Sequence, residues 1–351
     1  MSQPPRSERF LCTRPARSSL VGIVTAVMAC SAPYVPPPIA TVPGLAGTLI
    51  VPNKLRSTVT FVDVATGARL GTIPVGPNPH EIALSPDGTT AVTTAMDGHT
   101  LSVIDVAARQ VVRTITLGAD SLTHGIAYLP GDSVVAVTSR ATRSAVFVNV
   151  LSGQVIGAVP TTGGHPHILN ATADGSRIYT TEADSRTVSA FDANQRTLVQ
   201  TFAIDDAPEG MAVTPDGAEV WAGTSTFLTG KVIVLEPSSG AVTTVSRMFG
   251  WPYRIHLTPD TRTVLIPDIR RGTLRFVDRA SRQELGRIRY GGGEPGGLAI
   301  TPDGRYAFQT LMQQARVAII DIVQRQVVGN LHVGDTPDGI AYTPRVFTGA
   351  P

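Results

Sequence analysis

Apolar residues along this chain fall in short runs broken by turn signals, with no sustained three-to-four-residue beat. Ile82 to Ser85 is one such run, and Pro86-Asp87-Gly88 follows it as a tight turn in which glycine is free to take positive φ. Thr90 to Thr94 is β-branched and alanine-rich, Met96-Asp97-Gly98-His99 reads as a loop, Leu101 to Ile104 is apolar again, and Val111 to Ile115 alternates. Runs of this length and chemistry predict four short antiparallel strands in about forty residues, with helices almost absent.

That unit recurs. The phrase PHEIALSPDG returns as HGIAYLPGD, PHILNATADG, PEGMAVTPDG, PYRIHLTPDT, PGGLAITPDG and PDGIAYTPRV, 42 to 44 residues apart. A second phrase ends its apolar run at Asp63, Asp105, Asn149, Asp192, Glu236, Asp278 and Asp321, where a side-chain oxygen can start the next turn. Seven four-stranded units on one period predict an all-β, seven-bladed β-propeller. An open solenoid would need polar capping repeats at both ends. Here the ends complement each other. The first unit has strands at 47–51, 58–62 and 70–73 but no innermost strand, and the last phrase, Gly339 to Thr343, is an innermost strand with nothing after it. Pairing of 339–343 with 47–52 closes the ring and removes the free edge. The propeller then spans 47–346 as one domain, expected to be monomeric. Low aromatic content, 5%, with 34 glycines and 27 prolines suits a fold of tight turns.

The repeats resemble the YVTN-type β-propeller repeat. The segments that carry the likeness are ARLGTIPVGPNPHEIALSPDG, VIDVAARQVVRTITLG, IYTTEADSRTVSAFD and RVAIIDIVQRQVVGNLHVGDTPDGIAYTP. The resemblance implies an exported or surface protein of bacteria or archaea. Related seven-bladed propellers include lactonases, streptogramin lyases and the copper domain of nitrous oxide reductase, so it implies no single activity.

The N-terminus reads as an address. Arg6, Arg9, Arg14 and Arg17 precede the apolar stretch 20–30, which is too short to span a bilayer and suits the core of a secretory signal. Val27-Met28-Ala29-Cys30 resembles a lipoprotein processing site, which makes Cys30 the candidate lipidation residue and the periplasm or outer cell surface the expected location. Residues 30–46 read as a proline-rich tether without a packed core. Removal of 1–29 takes away four arginines and one glutamate and moves the formal charge from +2 to −1. No basic tract remains for nucleic acid, and a membrane is met only through the lipid.

Strand order sets two rows of positions on one face of the ring. The loops entering the innermost strands carry His80, His124, His167, Glu209, Tyr253, Gly296 and Asp338. The exits of the next strands carry Asn53, Ala95, Ser139, Glu182, Thr224, Asp268 and Leu311. The innermost strands line the channel, so the first row should ring its mouth. With seven histidines in the chain, three in succession at one structural position is an unlikely accident. His80, His124 and His167 beside a carboxylate can hold Zn or Cu, work as acid and base near neutral pH, or hydrogen-bond water and loop backbone. Candidate ligand contacts are these three with Glu209, Tyr253, Glu182, Asp268 and Asp338. Arg254, Arg270 and Arg271 near Asp268 are expected to form an ion-paired rim, and His256 to sit just below the mouth. The recurring Asp-Gly turns are scaffold. The chain has no HExxH, Walker A loop, GxSxG or CxxC, and GGGEPGG at 291–297 lacks the βαβ setting of a nucleotide loop. Two readings remain open. One is a binding or scaffold propeller that takes a small molecule or protein on its upper face. The other is a propeller enzyme, a lactonase- or lyase-like catalyst or a metal-dependent oxidoreductase, at the same mouth. The lack of a recognisable nucleophile–base pair favours the first.

Overall fold

The computed structural model describes residues 38–118, 121–225 and 229–347. The export signal, Cys30 and the first part of the proline-rich segment lie outside the described residues. The described chain forms seven four-stranded antiparallel sheets arranged as a β-propeller. Its only helical turns there are two 3-10 turns, Lys54–Arg56 and Met312–Gln314.

Blade 1 is composite. Its strands are Ala341–Thr343, Thr48–Asn53, Thr58–Asp63 and Arg69–Pro74, in that order across the sheet. The C-terminal strand pairs Thr343 with Thr48, Tyr342 with Leu49 and Ala341 with Ile50, and a bridge joins Pro337 to Asn53. Blades 2 to 7 begin with the inner strands Pro79–Leu84, Thr123–Tyr128, Pro166–Ala171, Pro208–Val213, His256–Leu257 and Pro295–Ile300. A second clasp, absent from the sequence reading, ties the seam between blades 7 and 1. Ala40 exchanges two backbone hydrogen bonds with Asn330 on the outer strand of blade 7, 2.9 and 2.7 Å long. Val42 and Leu45 pack into the core behind it. The end of the segment read as a tether is therefore part of the propeller, because its apolar residues find an open blade edge to cover.

Alternation within a strand explains why the middle strands read as continuous apolar runs. In Thr48–Asn53, Leu49 and Val51 pack toward Phe308, Val317 and Ile319 of blade 7, while Ile50 packs toward Ala91 and Ile104 of blade 2. Both faces of each blade are buried against neighbours, so both sets of side chains are apolar. The largest are enclosed completely, among them Phe61, Phe147, Phe276 and Trp221, and each such burial contributes roughly 1.5–3 kcal/mol. The outer strands carry exposed positions, and the Asp rows hold turns: Asp63 Oδ1, for example, accepts from the Thr66 N–H at 2.7 Å.

A buried imidazole file and an ion triad at the channel mouth

The first-row residues sit on β-bulges. The register between the two innermost strands slips between Pro79 and Ile82, Thr123 and Ile126, Pro166 and Leu169, Pro208 and Gly210, and Pro295 and Leu298. A bulge leaves backbone groups unpaired and re-aims side chains. A threonine of the second strand answers four of these five bulges; blade 5 has Gly223 in its place. Thr138 Oγ1 accepts from the Gly125 N–H at 2.8 Å and donates to the His167 carbonyl of the next blade at 2.8 Å. Thr94 and Thr181 do the same for Glu81 and Ile168, donating to the carbonyls of His124 and Glu209. Thr310 Oγ1 donates to the Asp338 carbonyl at 2.8 Å. The residue after each first-row position faces the adjacent inner strand at close range, which is why four of the seven are glycines. A Cβ on Gly125 would lie 2.6 Å from the His167 carbonyl oxygen, and one on Gly339 would lie 2.6 Å from that of His80. The other three are Glu81, Ile168 and Arg254.

This stitching sets the three histidines side by side. Ring centroids are 4.7 Å apart for His80 and His124 and 4.0 Å for His124 and His167, with planes inclined by 40° and 34°. His167 Nδ1–H donates to the Glu209 carbonyl at 3.1 Å, which leaves Nε2 as an acceptor. Tyr253 follows at 5.7 Å from His167. Burial, helped by the neighbouring imidazoles and Arg254, pushes His124 well below the ordinary histidine range. Burial likewise takes His167 to about 3 and His256, deeper in the channel, to about 4. These rings are neutral at physiological pH.

Among the described residues, no group of three or more His, Cys, Asp and Glu side chains is placed to hold a metal ion. The ligand set expected for Zn or Cu at His80, His124 and His167 is not assembled, because the rings lean on one another as a file. The Glu209 carboxylate takes the Trp251 Nε1–H at 3.1 Å, and burial raises its pKa against the opposing pull of Trp251, Arg140 and Arg270.

Asp338 is the first-row residue with the most consequence. Its Oδ2 lies 2.8 Å from His80 Nδ1, and its Oδ1 accepts from Arg254 Nη1 at 2.6 Å. Arg254 also donates through Nε to Glu81 Oε1 at 2.7 Å, so one buried guanidinium joins two carboxylates from across the channel. Burial would raise the Asp338 carboxyl, but Arg254, His80 and Lys54 overcome it and hold Asp338 well below the usual range. Burial would lower Arg254, and Asp338, Glu81 and Tyr253 reverse that and lift it. The expected rim is corrected here. Arg254 is 4% exposed and plugs the channel, and it does not pair with Asp268. Its freedom to turn inward follows from blade 6, whose second strand has Pro267 where four other blades have the bulge threonine, and whose innermost strand shrinks to two residues. Arg254 takes φ +33° there. Arg271 does approach Asp268, at 3.7 Å, and Arg270 lies over the Trp251 ring at 5.6 Å.

The second row turns away from the mouth. Glu182 is fully buried and accepts from Thr180 and Thr187 of its own blade at 3.0 and 2.5 Å. Asp268 accepts from the backbone N–H groups of Gly250 and Trp251, both at 2.9 Å. Both act as loop caps. Trp251, Lys54 and Glu81 were not singled out in sequence. They occupy no repeated chemical position, and only Glu81, adjacent to His80, carried a usable hint.

Above the plug lies a cavity of about 510 Å³. Leu55, Ile269, Met312 and Trp251 give it an apolar wall, His80, Tyr253 and Asp338 border it below, and Lys54 and Glu294 flank it. Below the plug the channel holds a smaller cavity of about 130 Å³ lined by inner-strand residues including Asn170 and His256.

No protein-family model matches the chain, and no curated protein matches it. Many solved structures resemble it in fold. One is hydrazine synthase of Kuenenia stuttgartiensis, with 18% identity, a TM-score of 0.67, and coverage of 74% of this chain and 88% of that one. Another is a functionally unknown protein of Desulfotomaculum acetoxidans, with 17% identity, a TM-score of 0.70, and coverage of 84% of this chain and 98% of that one. At these identities the likeness establishes the propeller and leaves its activity open.

Proposed function

We propose that the protein is a binding propeller whose upper cavity takes a small amphipathic molecule. The observation that carries this reading is the cavity itself. Its volume, about 510 Å³, falls in the range of ligand sites, and its apolar wall over a few fixed polar groups is their usual composition. The plug of Arg254, Glu81 and Asp338 supports a dead-end cup over a through-channel. A second reading, catalysis, draws on one feature. His80 with Nδ1 against a carboxylate can present Nε2 as a general base. No nucleophile has been identified beside it, so binding remains the better account.

The test is a thermal-shift screen of small amphipathic compounds of every charge type, on the wild type and on Met312→Arg, which places a long charged side chain in the cavity. Stabilising compounds should lose their effect in the variant. A library with no stabilising compound, or hits that ignore the substitution, would remove the reading.

A further inference from the structure

We infer that the upper cavity selects organic ammonium ligands: an apolar body held by Trp251, Leu55, Ile269 and Met312, and a positively charged amine set against Asp338 and His80. The inference rests on the binding reading above and supplies its ligand class.

The argument is a charge count at the cavity floor. The only fully buried cation there, Arg254, is already shared between Glu81 and Asp338. His124 and His167 supply no positive charge, because burial keeps them neutral. His80 Nδ1 lies 2.8 Å from Asp338 Oδ2 without hydrogen-bond geometry, so this buried carboxylate oxygen has no hydrogen-bond partner. It is the acceptor the floor offers to a ligand head. The ion triad itself sets one cation, Arg254, against two carboxylates, Glu81 and Asp338. An anionic head would meet a net negative floor in a half-enclosed site, where like charge is costly.

Lys54 shows what the floor attracts. Its side chain is 30% exposed, yet its Nζ stays 3.8 Å from Asp338 Oδ2, beyond a hydrogen bond. A flexible ammonium held at that range by attraction alone stands in for the head of a ligand and can withdraw to solvent when one arrives.

The experiment uses three probes of similar size: phenethylamine, 3-phenylpropan-1-ol and 3-phenylpropionate. Calorimetric titration of the full-length protein should rank them ammonium, alcohol, acid, with the ammonium at least roughly tenfold tighter than the acid. Lys54→Gln should tighten phenethylamine several-fold by removing the competing amine. Trp251→Phe keeps the apolar wall and should leave the ranking intact. Acid binding that equals or exceeds amine binding would overturn the inference, as would acid binding lost in Lys54→Gln, since Lys54 would then be an anion receptor. Failure of the ammonium to bind would also overturn it. Neutral or acidic hits in the broad screen, lost in Met312→Arg, would in that event leave the binding reading standing with a different ligand class.

Discussion

Arg254 shows how far one side chain can determine a site. Removing only this member of the triad leaves Asp338 and Glu81 unpaired beside the channel, and breaking a buried ion pair from one side costs about 3–5 kcal/mol. Arg254→Leu is therefore expected to lower the denaturant midpoint strongly without changing the fold. Arg254→Lys should recover only part of the loss, because an ammonium cannot reproduce the forked contacts to two carboxylates. Urea titration followed by far-ultraviolet circular dichroism checks both, and a neutral outcome for Arg254→Leu would mean the carboxylates reach water. The residue itself was visible in the sequence and was placed wrongly. Proximity to Asp268 along the chain suggested a surface rim, whereas the pairing depends on Pro267 and a shortened strand, neither of which has a repeat signature.

At the scale of strands, the bulges are what turn a repeat into a mouth. In five blades the inner strand slips register beside its first-row residue, and in four of them a threonine links that bulge to the next blade. Thr138→Val deletes two buried hydrogen bonds, one accepted from the Gly125 N–H and one donated to the His167 carbonyl, and is expected to cost about 1–3 kcal/mol. Thr138→Ser keeps the hydroxyl and should lie within about 1 kcal/mol of wild type. Chemical denaturation distinguishes the two, and a loss in Thr138→Ser as large as that in Thr138→Val would show that the hydroxyl's hydrogen bonds do not set the cost. The strands themselves were legible from alternation and turn residues, and the first row of His80, His124 and His167 was correctly brought to one place. The bulges were not legible, since the extra residue leaves no mark in a run of apolar and small side chains.

Across the whole ring, the buried histidines couple stability to pH. His167 and His256 sit near 3 and 4 in the folded chain, against about 6.5 unfolded. Below 6.5 the unfolded chain binds protons that the folded chain refuses, so stability falls as pH drops from 6.5 toward those folded values. Between pH 6.5 and 5 each such histidine removes about 2 kcal/mol. The carboxylate of Asp338 acts lower. Its folded value is depressed, so its contribution is complete above about 3.9 and is lost only below that. Thermal midpoints should therefore fall already between pH 7 and 5, and His256→Gln should flatten that slope. A midpoint independent of pH over this interval would show that the rings accept protons freely. The sequence alone determined the architecture: the period, the strand chemistry and the missing inner strand of blade 1 together require a seven-bladed ring closed by its C-terminus. These are local and repeated properties, and each of seven copies reinforces the others. Tertiary structure alone decided the clasp of Ala40 on Asn330, the file of buried rings where converging ligands were expected, and the plug of Arg254 between Glu81 and Asp338. Those depend on contacts between residues up to 290 positions apart that occur once among the described residues, where burial and facing charge, and not residue type, set the chemistry.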